Sequence, residues 1–260
     1  MRLALRIPTI LAFLPLIWGM SAIANPDIRL QIHQGNYEQA YQATQNLETA
    51  EGLALAAESL NAQILLGDIS KLNKTAKRAR VYAQRSLDIE PDAYNARLQY
   101  ALADGFVTRT SSDFKAWRKK LPQKTLKVVT EFEADYPDDP RAKALLAAWH
   151  LGVIRKAGVK NGEKWFGASL EEGQRLYSVA QRLAPQDILI ATNYYMSLHV
   201  LDLDFDIAYK RQQLESILRM PAQSHIDRVV QSRVRDMLDI IGDPKAEKKM
   251  VERFLDGDWE

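Results

Sequence analysis

Residues 86–101, Ser-Leu-Asp-Ile-Glu-Pro-Asp-Ala-Tyr-Asn-Ala-Arg-Leu-Gln-Tyr-Ala, carry the reading of the fold. Pro91 cannot continue a helix, and it biases Glu90 away from helical backbone. Ser86 and Ile89 lie at the end of one helix, and Tyr94 to Ala101 begin another. Two further stretches repeat the pattern: Asp135-Tyr136-Pro137-Asp138 and Leu183-Ala184-Pro185-Gln186. Placing Pro91 on Pro185 brings Ser86 onto Ala180, Ile89 onto Leu183 and Tyr100 onto Tyr194. Pro137 fits more weakly, with Ala142 on Ala96 and Ala147 on Ala101. Small residues recur where two helices must lie close, aromatic ones opposite them, and Asp or Asn nearby can cap the next helix.

Working outward, apolar residues keep helical spacing along most of the chain, as in Leu53, Ala56, Ala57, Leu60, Ile64 and Leu65. Helices are predicted at about 26–33, 37–46, 50–66, 70–89, 93–108, 123–136, 139–157, 169–183, 187–201, 204–219, 222–241 and 244–256, the last as a cap. Only 12 Gly and 10 Pro punctuate the 260 residues, which favours helix throughout. Gly158, Gly162 and Gly167 interrupt the segment 155–169, which reads as an insertion loop carrying Trp165 and Phe166.

The breaks resemble those of the tetratricopeptide repeat (TPR) family. Gly35-Asn36-Tyr37-Glu38-Gln39-Ala40 is similar to that family's inter-helix turn, and Ala79, Ser86 and Pro91 match its small, small and proline positions. The spacing from Pro91 to Pro137 to Pro185 exceeds the family repeat of about 34 residues by roughly a dozen. The family's Trp and Gly positions are not met either. The resemblance implies an all-α, TPR-like α-solenoid of stacked antiparallel helix pairs over residues 25–260, with an extended concave groove. In that register Asn95, Arg141, Thr192 and His199 face the groove. Trp165 and Phe166, on the glycine-rich loop, either pack back on the neighbouring repeats, the more common outcome, or stand exposed as further anchors for a partner.

The first 24 residues form a separate object. Arg2 and Arg6 precede an apolar stretch from Ile7 to Met20, and Ser21-Ala22-Ile23-Ala24 supplies the small residues of a signal-peptidase site. The apolar stretch is shorter than the about 20 residues that span a bilayer. A cleaved Sec-type leader is therefore expected, with a periplasmic mature chain not stably inserted in a membrane. With no cysteine there is no disulfide framework, no zinc–thiolate site and no lipoprotein anchor. Two of the 35 basic residues lie in the leader, so the remainder balances the 33 acids, and nucleic acid is not indicated as a partner.

Catalytic and cofactor signals are absent from the pattern. His33, His150, His199 and His225 are scattered without metal-ligand spacing. Asp202, Asp204 and Asp206 alternate like the opening of a calcium loop, but Ile207 stands at its glycine position. The simpler reading is a turn, with Asp204 or Asp206 beside a helix N-terminus. The glycines near 160 lack the strand and Gly-Lys-Ser/Thr ending of a phosphate loop, and no nucleophile elbow is present. Basic runs at Lys71, Lys74, Lys77, Arg78, Arg80 and Arg85, and at Lys115, Arg118, Lys119, Lys120, Lys124 and Lys127, are solvated helix faces or footprints of an anionic partner. The sequence thus points to a non-enzymatic scaffold or adaptor without cofactor or metal, binding a protein or peptide of the cell envelope. An accessory component of a solute-uptake system, and an envelope enzyme without a recognisable motif, stay open beside it.

Overall fold

The computed structural model describes residues 26–67, 71–201 and 206–257. The expected leader at 1–24, most of the acidic turn at 202–205 and the tail at 258–260 lie outside the described residues. All regular structure in the described part is helical. Helices α1 (Pro26–Gln34) and α2 (Tyr37–Thr44) come first, followed by α3 (Ala50–Leu65) and α4 (Leu72–Ile89). Two three-helix units come next: α5 (Tyr94–Arg109), α6 (Asp113–Arg118) and α7 (Leu121–Asp135), then α8 (Pro140–Ala157), α9 (Val159–Phe166) and α10 (Leu170–Leu183). The chain closes with α11 (Ile188–His199), α12 (Ile207–Leu218), α13 (His225–Asp239) and α14 (Pro244–Asp256).

The proline-marked breaks are where the helices part, and their neighbours do the capping. Asp139 accepts the N–H groups of Arg141 and Ala142, with Pro140 opening α8. Asp187 accepts from Ile190 in the same way. Asp92 does not cap; its carboxylate takes Arg97 at 3.1 Å, and α5 starts from Ala93. Asp206 caps α12 by accepting the Tyr209 N–H, so the acid at the end of the calcium-like run serves a helix N-terminus.

Small side chains set the helix spacing. Ala76, Ala79, Ala83 and Ser86 form a fully buried stripe along α4, and the Ser86 hydroxyl donates to the Ala50 carbonyl at 2.6 Å, tying α4 to the start of α3. Ala96 and Ala101 on α5, and Ala142 and Ala147 on α8, are likewise buried at the positions that the proline breaks align. Such stripes let backbones approach and leave the volume to larger residues such as Leu53, Leu60, Tyr177 and Met196.

Two corrections concern the three-helix units. Residues 155–169 are not an insertion loop: α8 runs to Ala157, Gly158 turns the chain at φ +76°, and α9 continues until Gly167 at φ +71°. Gly162, which reads as a break in the sequence, is a contact. A β carbon there would lie 2.7 Å from Ile154 Cδ1, so its absence lets α9 lie down on α8. The second short helix, α6, lies in a stretch with no predicted element.

Helix α13 returns to the first described helices. Ile226 and Val229 of α13 pack against Ile28, Ile32, Leu55 and Leu66 at the N-terminal end, and the His225 ring stands edge-on to Tyr37 at 5.9 Å. The end of α14 reaches the middle of the chain. Asp256 accepts a 2.6 Å bond from Arg155 on α8, and Gly257 lies against Arg109, the last residue of α5.

Candidate functional site

The structure does not gather the six residues singled out from the sequence. Asn95 spends its side chain inside the fold, donating to Glu58 at 3.0 Å and accepting from Gln99. Arg141 is exposed at the start of α8. Thr192 is completely buried, and its hydroxyl has no hydrogen-bond partner among the described residues. His199 is claimed by the C-terminal helix, with Nε2 2.8 Å from the Glu247 carboxylate and its ring stacked on Tyr195. Trp165 and Phe166 part company on α9: Phe166 packs against the cluster of Val129, Trp149 and Ile154, while Trp165 is 65% exposed.

The concentration of open, chemically distinctive surface lies elsewhere, on α4 where it faces α2. Two adjoining depressions of about 800 and 690 Å³ share Lys71, Lys74 and Arg78. Arg78 borders both, and with Tyr82 and Arg85, which line the larger one, it falls on one face of α4 at i, i+4 and i+7. Tyr41 of α2 stands opposite, its hydroxyl 3.2 Å from that of Tyr82 and its ring edge-on to the Tyr82 ring. Arg78 donates to the Tyr41 hydroxyl and lies 4.9 Å above that ring, and Arg85 lies 5.9 Å above the ring of Tyr82 while pairing with Glu48. Burial and the neighbouring Tyr82 raise the Tyr41 hydroxyl above its ordinary pKa, so it stays protonated as a donor.

This arrangement has a definite chemical bias. Arginines resting on tyrosine faces keep their charge and lose rotamer freedom, so a carboxylate arriving from solvent meets donors already oriented. Val81, exposed beside them, adds an apolar contact. The sequence marks the basic run but not the tyrosines; the i, i+4, i+7 spacing of Arg78, Tyr82 and Arg85 was the available signal.

Other polar clusters act as ties between helices. Asp104, buried on α5, accepts from Arg80 at 2.8 Å and from Thr125 at 2.7 Å, joining α4, α5 and α7. Glu247 accepts from Lys210 at 2.9 Å and from the Gly242 N–H at 2.5 Å, besides its contact with His199. Burial raises its pKa, but those donors pull harder, and the carboxyl sits below its ordinary value. His150 accepts the Ser169 N–H at Nδ1, 3.0 Å, and burial pushes its pKa down despite the Glu172 carboxylate nearby. Among the described residues no group of three or more His, Asp or Glu side chains gathers at metal-binding range.

Compared with models of known protein families and with curated proteins, the chain matches none.

Proposed function

We propose that this chain is an exported, TPR-like interaction scaffold that holds an acidic segment of a partner protein along the groove between α2 and α4. The observation that carries the reading is the ladder Arg78–Tyr41–Tyr82–Arg85, in which the buried Tyr41 and the half-buried Tyr82 hold Arg78 and Arg85 at the surface, Arg85 already beside the Glu48 carboxylate. Export rests on the leader pattern of residues 1–24.

In this reading α3/α4, α5/α7, α8/α10 and α11/α12 are the helix pairs of a solenoid, and α6 and α9 are additions inside two of them. Those additions account for repeats longer than the family's. Helices α13 and α14 then occupy the concave side, since between them and the turn after α14 they contact α1, α3, α5, α8 and α11. A partner is left with the outer face, where the second helices α2 and α4 lie. This moves the binding site from the concave groove suggested by the sequence to the convex side.

The test is binding of a labelled Glu/Asp-rich peptide, read by fluorescence anisotropy, with crosslinking in the cell envelope as its counterpart. Saturable binding that weakens with salt and falls at least about tenfold in Arg78→Glu with Arg85→Glu supports the scaffold. One envelope protein captured by the wild type and lost in the same variant identifies the partner. A chain recovered alone with a small molecule retained inside it overturns the reading in favour of solute handling.

A further inference from the structure

We propose that the edge formed by α6 and α9 docks the protein on an anionic lipid bilayer. Helices α5 and α8 both run toward this edge, and α7 and α10 both run back from it. Its two corners are close, because the end of α14 touches both: Gly257 lies on Arg109 of α5 and Asp256 on Arg155 of α8. The two added short helices therefore project from one side of the molecule.

Both present aromatic rings to solvent with cations around them. On α6, Phe114 and Trp117 are 69% and 70% exposed and share a face at i, i+3. Arg118 lies 5.8 Å above the Phe114 ring. On α9, Trp165 stands out with Lys164 5.2 Å above its ring. Lys115, Arg118, Lys119 and Lys120 succeed one another around α6, and none of them is in an ion pair with a described residue. The crowding reaches α4: burial lowers the pKa of Lys77, and Lys115, Lys119 and Arg80 lower it further.

Exposed Trp and Phe ringed by Lys and Arg are what a bilayer interface takes up. The rings settle at headgroup depth, the long cationic stems keep their charges among the phosphates, and anionic lipid adds about 1 kcal/mol of attraction per cation near the surface. The rings project from two separate short helices on an outward edge, and a broad anionic surface engages both at once. No described helix is long and apolar enough to cross a membrane, so the attachment is peripheral.

The experiment is cosedimentation with vesicles of phosphatidylglycerol and phosphatidylcholine in equal parts, against phosphatidylcholine alone. The protein is purified as the expressing host leaves it, its N-terminus read by mass spectrometry, because binding through a retained leader would not respond to changes on α6. Expected are binding to the anionic vesicles only, weakening with salt, and a fall of about 30-fold for Arg118→Ala with Lys119→Ala. Phe114→Ser with Trp117→Ser is expected to reduce binding at least about tenfold at unchanged helicity, and Trp165→Ser to weaken it further. Arg85→Glu, in the groove, leaves vesicle binding in place, so failure of the groove reading and failure of this one are separable. Absence of vesicle binding, equal binding to phosphatidylcholine alone, or binding indifferent to both α6 variants overturns the proposal. So does an acidic protein captured through α6 by a chain that ignores vesicles.

Discussion

Gly35 lies directly beneath the ring of His225. A β carbon built on it would come within 2.7 Å of both Cδ2 and Nδ1 of that ring, and Gly35 already holds φ +96°, a backbone region that side-chain-bearing residues rarely adopt. This contact joins the turn between α1 and α2 to the start of α13. Gly35→Ala is expected to destabilise the fold by at least about 2 kcal/mol, the left-handed strain and the collision adding. Removing the ring should recover the collision part alone, so Gly35→Ala with His225→Ala is expected to be more stable than the sum of the single changes implies. Denaturant unfolding of the four proteins closes that cycle, and strict additivity would show that the two residues do not press on one another.

Glu247 is a buried acid whose loss should loosen α14 from α11 and α12. Its carboxylate faces Lys210 and His199 and also accepts from the Gly242 N–H. Glu247→Gln keeps the shape and removes the charge, and is expected to destabilise by about 2–3 kcal/mol because the partners remain enclosed. The carboxyl is depressed in the folded state, so its stabilisation is complete above the unfolded value of 4.5 and is lost as pH falls through the lower folded value. Unfolding measured across that acid range should show a steeper decline in the wild type than in Glu247→Gln.

These two residues also show where the sequence was silent. Pro91, Pro137 and Pro185 mark helix ends because proline acts on its own backbone, and the alanine stripes are legible because burial repeats with the helical period. Nothing local announces that His199 will meet Glu247, or Tyr41 meet Tyr82, since those contacts depend on how helices far apart in sequence come together. α6 is too short to display a period. In α9 glycine spacing alone does not separate a break from a close approach: Gly162 is a contact with Ile154, and the outer two glycines are the helix's ends. Once α9 is a helix, the parting of Trp165 and Phe166 is expected, because adjacent residues point about 100° apart.

His150 supplies a pH dependence of its own. Its Nδ1 accepts the Ser169 N–H where α10 begins, and that bond requires the nitrogen to be unprotonated. Burial lowers its pKa, so the neutral folded form is at no disadvantage above 6.5, and stability is lost as pH falls below that value toward the folded pKa. Replacing it, His150→Gln, should flatten the stability profile between about pH 7 and 5. Histidine resonances tracked by NMR should place this ring below the ordinary value, and a value at or above 6.5 would contradict the assignment.

Arg109 leads to a prediction of the opposite sign. The guanidinium is enclosed at the end of α5, 4.7 Å over the Phe106 ring, with Gly257 backed against it. Its Nε and Nη2 have no hydrogen-bond partner among the described residues. Burial draws its pKa down to about 10, the Asp256 carboxylate opposes that shift, and Arg155 reinforces it. At neutral pH the group is still a cation, held away from water without donors fully met, and this opposes folding. A flexible apolar side chain of similar length retains the packing on Phe106 and removes the desolvation. Arg109→Met is therefore expected to stabilise the protein by about 1–2 kcal/mol, read as a higher denaturant midpoint at unchanged m-value. A lower midpoint would mean that an anion outside the described residues sits on the guanidinium, and unfolding repeated in high salt would separate that pairing from lost packing.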